Sequence, residues 1–133
     1  GAYLNDKRLR VAARKTLADA VVATGMPNIG HGDDVRANYL AQVRDVLAVT
    51  AALRRFGAAS LDLCFVAAGR FDAFWESGLS SWDMAAGLLI VKEAGGLVTD
   101  LHGGERPLQL GHILAGNEHL HPQLLKLLKT AKP

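Results

Sequence analysis

The sequence predicts an α/β domain. Strand-length apolar runs alternate along it with longer segments of helical spacing, and glycines mark most boundaries. Its 133 residues, half of them hydrophobic and 21% charged, suffice for one core and not for two ordinary domains. Residues 1–133 therefore read as one unit, with no internal repeat, low-complexity tract or linker.

The first element is a hairpin. Apolar and polar residues alternate from Gly1 to Arg10 around the turn pair Asn5-Asp6. A natural chain seldom begins inside a hairpin, and this one lacks an initiator Met. Either it has been trimmed or it is a piece of a longer polypeptide, and the second reading is preferred. Leu17 to Thr24 follows as a buried strand bounded by Gly25 and Pro27, with loop at 30–32.

Asp33-Asp34 then open a long amphipathic segment. Tyr39, Leu40, Val43, Val46, Leu47 and Leu53 recur along one helical face. The aspartates suit the positive end of a helix dipole, and Arg54-Arg55 suit the negative end. The spacing predicts one helix from Val35 to Arg55, stopped at Gly57.

A second helix, Ser60 to Ala68, is apolar nearly all round, is expected to be buried on several sides, and is closed by Gly69. Asp62 is its one charged residue; a buried hydrogen bond is expected there, ahead of a catalytic role. Phe71 to Glu76 alternates and is aromatic, which predicts a strand broken at Gly78. The third helix starts at a Ser81 cap with Asp83 in its first turn, runs to Ala94 and stops at Gly95-Gly96. Leu97–Thr99 and His112–Ala115 are short strands either side of a turn at 102–104. Pro122 opens a last helix from Gln123 to about Lys129.

Bulk chemistry narrows the function classes. Fifteen basic residues against 13 acidic ones give a net charge of +2, and the basic residues are scattered. Such a balance calls for neither a nucleic-acid nor a membrane partner, and no apolar stretch is long enough to span a bilayer. No basic-then-apolar signal segment opens the chain. The single cysteine, Cys64, lies in an apolar run and reads as a core residue; its lack of a partner suits the reducing cytoplasm. The five histidines (31, 102, 112, 119, 121) show no metal-ligand spacing, and His119 and His121 read as surface residues. Trp75 and Trp82 read as core or dimer contacts.

Three carboxylates gather around one strand-loop-helix corner: Asp72, Glu76 and Asp83. Ligands collect at such corners in open α/β sheets, and Mg²⁺ takes one or two carboxylates alongside phosphate oxygens and water. By position alone Asp83 is better explained as a first-turn residue that complements the helix dipole than as a metal ligand. Asp72 and Glu76 share a parity on their strand; for Asp72 a solvated face is the preferred reading.

The run Trp82-Asp83-Met84-Ala85-Ala86-Gly87-Leu88-Leu89-Ile90-Val91-Lys92-Glu93-Ala94-Gly95-Gly96 resembles the C-terminal signature of the inositol monophosphatase family at every defining position. The flanks 57–64 and 67–76, the opening residues 1–5 and Leu114-Ala115-Gly116-Asn117 resemble other segments of that family. Fifteen residues with mixed Asp, Gly and apolar requirements are far more specific than a lone glycine motif.

The resemblance implies the C-terminal α/β half of the sugar-phosphatase layered sandwich, a mixed sheet flanked by helices. It implies Mg²⁺-dependent hydrolysis of a phosphate monoester, a homodimer and inhibition by Li⁺. By it, Asp83 matches the aspartate that binds the second catalytic metal and touches the substrate hydroxyl. Glu76 matches the glutamate that bonds a ring hydroxyl. Gly57 and Ala59 match positions whose backbone lines the substrate pocket. Inositol monophosphate is the implied substrate, with sugar, histidinol or nucleotide phosphates as siblings, and association with RNA polymerase as a non-enzymatic alternative.

Two departures matter. Ser80-Ser81 stand where many bacterial members carry Lys-Pro. The family's Asp-Pro-x-Asp-Gly-Thr motif, which supplies most metal ligands, is absent. One or two carboxylates do not hold a metal pair, so this chain on its own is expected to be inactive.

Overall fold

In the computed structural model, which describes residues 1–27, 30 and 32–133, the chain opens with the expected hairpin. β1 (Tyr3–Leu4) pairs antiparallel with β2 (Lys7–Arg8). Asn5 and Asp6 adopt φ of 50° and 65°, the left-handed pair that a tight two-residue hairpin turn requires. The expectations for His31 and for part of the 30–32 loop fall outside the described residues.

The remaining elements follow in order: β3 (Val21–Thr24), α1 (Asp33–Leu47), β4 (Ala52–Arg54), α2 (Ala59–Ala67), β5 (Ala73–Glu76), α3 (Ser81–Glu93), β6 (Leu97–Thr99), α4 (Pro107–Leu110), β7 (Ile113–Gly116) and α5 (Leu120–Thr130). Five strands form one mixed sheet in the order β4-β3-β5-β7-β6. β3 runs parallel to β4 and β5; β7 runs antiparallel to β5 and β6. The α/β class holds, with helices on both faces.

Strand alternation divides the core into two layers. Val22, Ala73, Trp75 and Leu114 pack with Tyr39 and Val46 of α1 and Leu120, Leu124 and Leu128 of α5. Ala23, Phe74, Ile113 and Ala115 pack with Leu63 and Val66 of α2 and Met84 and Val91 of α3. Helices α2 and α3 approach each other so closely that a β-carbon on Gly87 would lie 2.6 Å from Leu63 Cδ1. That contact explains a glycine in mid-helix, where its propensity is poor.

The structure corrects several expectations. The single helix to Arg55 is two elements: α1 ends at Leu47, and Ala52–Arg54 is the edge strand β4. Thr50 donates its hydroxyl to the Val46 carbonyl at 2.8 Å as the helix ends. Leu53 therefore faces α1 from the sheet rather than extending it, and Arg54 and Arg55 lie beyond the helix altogether. Residues 17–19 form a 3₁₀ turn, so the third strand is shorter than expected. Helix α2 is covered on one side only: Asp62, Leu63, Val66 and Ala67 are buried and Leu61 is exposed. The short helix α4 was not anticipated.

Asp72 is not solvated. It is buried at the start of β5, accepts the Val21 N–H at 2.7 Å and pairs with Arg14 at 3.2 Å. It thus ties the segment before β3 to the sheet, far from the carboxylates at the other end of β5. Nor is His121 a surface residue: it is buried, with Nε2 2.8 Å from the Thr99 hydroxyl. Helix α5 starts two residues before Pro122, where Asn117 Oδ1 accepts the N–H groups of His119 and Leu120.

Candidate active site

The parallel strands β3, β4 and β5 end on one edge of the sheet. Helices α2 and α3 begin just beyond it, after the short loops 55–58 and 77–80. Their N-termini therefore point unpaired backbone N–H groups toward that edge, a setting that favours anions. Gly57 lies in the loop before α2 with φ +81°, a conformation glycine adopts without strain, and Ala59 is the first helical residue.

Ser80, not Ser81, caps α3. The Ser80 N–H donates to Asp83 Oδ2 at 2.9 Å, one half of a capping box. Asp83 is half-buried, and no hydrogen bond to its Oδ1 is found among the described residues. The cap and a ligand role are thus compatible, since they use different oxygens.

Glu76 closes β5 and its side chain turns to the α2–α3 face, because Phe74 two residues earlier does. Burial is the main cause that lifts its carboxyl from 4.5 to about 7; the negative charges of Asp62 and Asp83 add to the lift, and Arg55 opposes it. Asp62 enters the same electrostatic field from the first turn of α2. It is fully buried, as expected, but the expected hydrogen bond is not found: among the described residues neither carboxylate oxygen has a partner. Burial alone raises it from 3.8 to about 6.

The structure thus brings together Glu76, Asp83 and Asp62, with Gly57 and Ala59 at the adjacent helix mouth, and separates Asp72 from them. Sequence reasoning missed two contributors. Arg55 was assigned to a helix end, and Gly25 was read only as a strand breaker. Trp82 is not in the core; it is 81% exposed on α3, with Leu89 one turn pair further along at 59%. Trp75 is buried and donates its indole N–H to Gln42. Cys64 is half-buried and lines an apolar groove with Leu61 and Ile90.

A separate cleft of about 380 Å³ lies on the opposite face of the sheet, lined by Asn38, Gln42, Ser77, His102 and His112 among others. It contains none of the three carboxylates. Among the described residues no three His, Cys, Asp or Glu side chains converge as a metal site. The donors present fit a share of a Mg²⁺ site, an accessible carboxylate oxygen beside a second acid, and not a complete one. No helix among the described residues is long and apolar enough to cross a membrane.

The fold is a mixed five-stranded sheet flanked by helices with an acidic corner at the ends of its parallel strands, and sequence comparison is more specific. The inositol monophosphatase family model matches residues 1–132, and the chain belongs to that family. Over all 133 residues it is 53% identical to the inositol-1-monophosphatase of Rhizobium meliloti, and equally to the Nus factor SuhB of Pseudomonas aeruginosa. In each case it covers 49% of the relative, so the chain spans about half the length of the relatives it matches. Among solved structures, the extragenic suppressor protein suhB of Bartonella henselae superposes with a TM-score of 0.92 at 51% identity, over 98% of this chain and 49% of that one. The inositol monophosphatase of Anabaena superposes with a TM-score of 0.90 at 34% identity, over 97% and 50%.

Proposed function

We propose that this chain is the C-terminal half of a cytoplasmic, Mg²⁺-dependent phosphomonoesterase that hydrolyses inositol monophosphate, acting as a homodimer sensitive to Li⁺. The observation that carries the reading is the placement of Asp83: half-exposed at the mouth of α3, one oxygen spent on the cap, the other unbonded among the described residues, within electrostatic reach of Glu76. Asp83 would hold Mg²⁺ and touch the substrate hydroxyl. Bound Mg²⁺ supplies charge neutralisation at the phosphoryl group and its leaving oxygen. Glu76 bonds a hydroxyl of the leaving group. The backbone at Gly57 and Ala59 lines the pocket, and the N-terminus of α2 favours the anionic substrate.

The chain alone is inactive on this reading, because one free carboxylate oxygen and its acidic neighbours do not make a two-metal centre. The exposed Trp82–Leu89 stripe of α3 suits a face covered in a longer protein. Phosphate release by the full-length protein from inositol, sugar, histidinol and nucleotide monophosphates tests the reading. Preference for inositol monophosphate supports it; preference for another member identifies a sibling activity, and release from none overturns it.

A second reading has one specific support: a relative as similar as the first, that of Pseudomonas aeruginosa, is named Nus factor SuhB. A transcription role through RNA polymerase would not need the metal corner. Polymerase binding that survives Asp83→Asn supports that role, and no binding by the wild type removes it.

A further inference from the structure

We propose that Gly25 is a positioning residue for substrate selection, its absent side chain forming the seat of the Glu76 carboxylate. This rests on the phosphatase reading for the role of Glu76 and on the sheet for the contact.

The register brings the two residues together. Val22 pairs with Ala73, Ala23 with Phe74 and Thr24 with Trp75, so the next residues in line are Gly25 and Glu76. Adjacent positions on parallel neighbours present their side chains to the same face. A β-carbon on Gly25 would overlap the Glu76 carboxyl carbon and both its oxygens, with Oε2 at 2.6 Å. Gly25 is buried, so the carboxylate closes over the bare backbone.

Two simpler accounts of Gly25 fail. It is not needed for a left-handed turn, since it is absent from the positive-φ residues, unlike Gly57 or Gly78. Nor is Glu76 held by a bond that would make the contact incidental: among the described residues no side chain or N–H hydrogen bonds to it, and Arg55 acts only through its field. Shape is what locates this carboxylate. Displaced by one methyl group, it would address a substrate hydroxyl from the wrong place, and small misplacements of recognition groups are costly.

The experiment is a double-mutant cycle with Gly25→Ala and Glu76→Ala in the full-length protein, read both by kinetics on inositol monophosphate and by thermal unfolding. Gly25→Ala should raise KM about tenfold, the order expected for loss of one charge-assisted hydrogen bond, with kcat changed much less. It should lower Tm in the wild-type background. In the Glu76→Ala background, where nothing remains to displace, it should change KM by less than twofold and leave Tm unchanged. Equal effects in both backgrounds, or no effect in the wild type, would overturn the proposal. If the wild type releases no phosphate from any monoester, the phosphatase reading and the selection role both fail, whereas the Tm coupling still reports whether Gly25 seats Glu76.

Discussion

Asp62, in the first turn of α2, lies close enough to Glu76, at the end of β5, for its negative charge to raise the proton affinity of Glu76. Neither carboxylate is compensated among the described residues: Asp62 has no hydrogen-bond partner there, and the nearby Arg55 offsets only part of the lift on Glu76. The acidic corner is therefore built at a cost to stability, as functional sites often are.

The sign of that cost can be tested. Asp62 is raised from 3.8 to about 6 and Glu76 from 4.5 to about 7. Between about pH 4 and 7 these two groups thus bind more protons in the folded chain than in the unfolded one, so their contribution to stability is greatest at the acid end and falls as pH rises, opposed by Asp100, His112 and His121, whose proton affinities are lowered on folding. For buried Asp62 the two-unit rise corresponds to at most about 3 kcal/mol. Asp62→Asn keeps the shape and removes the charge; it should raise Tm at pH 7.5 and flatten its pH dependence. Thermal unfolding of both proteins from pH 4 to 8 checks this, and an Asp62→Asn variant that follows the wild-type Tm at every pH would refute it.

Asp83 should separate capping from chemistry. An asparagine at that position still offers an acceptor to the Ser80 N–H, so Asp83→Asn should leave Tm within a degree or two. Asp83→Ala removes the acceptor and should cost about 1 kcal/mol. Denaturant unfolding of the two variants side by side measures the difference.

At Gly87 two effects compete. Alanine gains about 1 kcal/mol of helix propensity over glycine. Its methyl group, however, would press on Leu63, 2.6 Å from Cδ1 and 2.7 Å from Cβ, at the α2–α3 contact. Overpacking costs about 1–3 kcal/mol, and a Cβ–Cβ approach of this kind leaves no rotamer escape. Gly87→Ala is therefore expected to be net destabilising; a raised Tm would show that the helices can part without loss.

Asp72 should behave as a structural anchor. Asp72→Ala leaves the part-buried Val21 N–H unsatisfied and the half-exposed Arg14 without its ion pair, a loss of about 1–3 kcal/mol. Because Asp72 lies at the opposite end of β5 from Glu76, the surviving folded fraction should keep its KM. A change in KM with little loss of stability would contradict the anchoring role.

The hairpin, helix α3 and the strands around it were legible in the sequence because their signals are local: an Asn-Asp turn, a Ser and Asp at a helix mouth, glycines at its close. Asp83 was singled out through the signature that contains it, and Glu76 through the flank 67–76 that precedes it. Strand β4 was not, because Leu53 falls in phase with the apolar face of α1 and Arg54-Arg55 imitate a helix C-terminus. Adjacent serines made the cap ambiguous by one residue, which only the bond from Ser80 to Asp83 resolves. Asp72 shares parity with Glu76, and its burial depends on Arg14, 58 residues away. The contact of Gly25 with Glu76 depends likewise on strand register, which no local pattern encodes.

The most direct test of the metal role is turnover of inositol monophosphate by the full-length protein as Mg²⁺ is titrated, wild type against Asp83→Asn. The account predicts that the variant, though folded, loses turnover by orders of magnitude at every Mg²⁺ concentration. Near-wild-type turnover at saturating Mg²⁺ would mean that the carboxylate at the mouth of α3 only caps a helix.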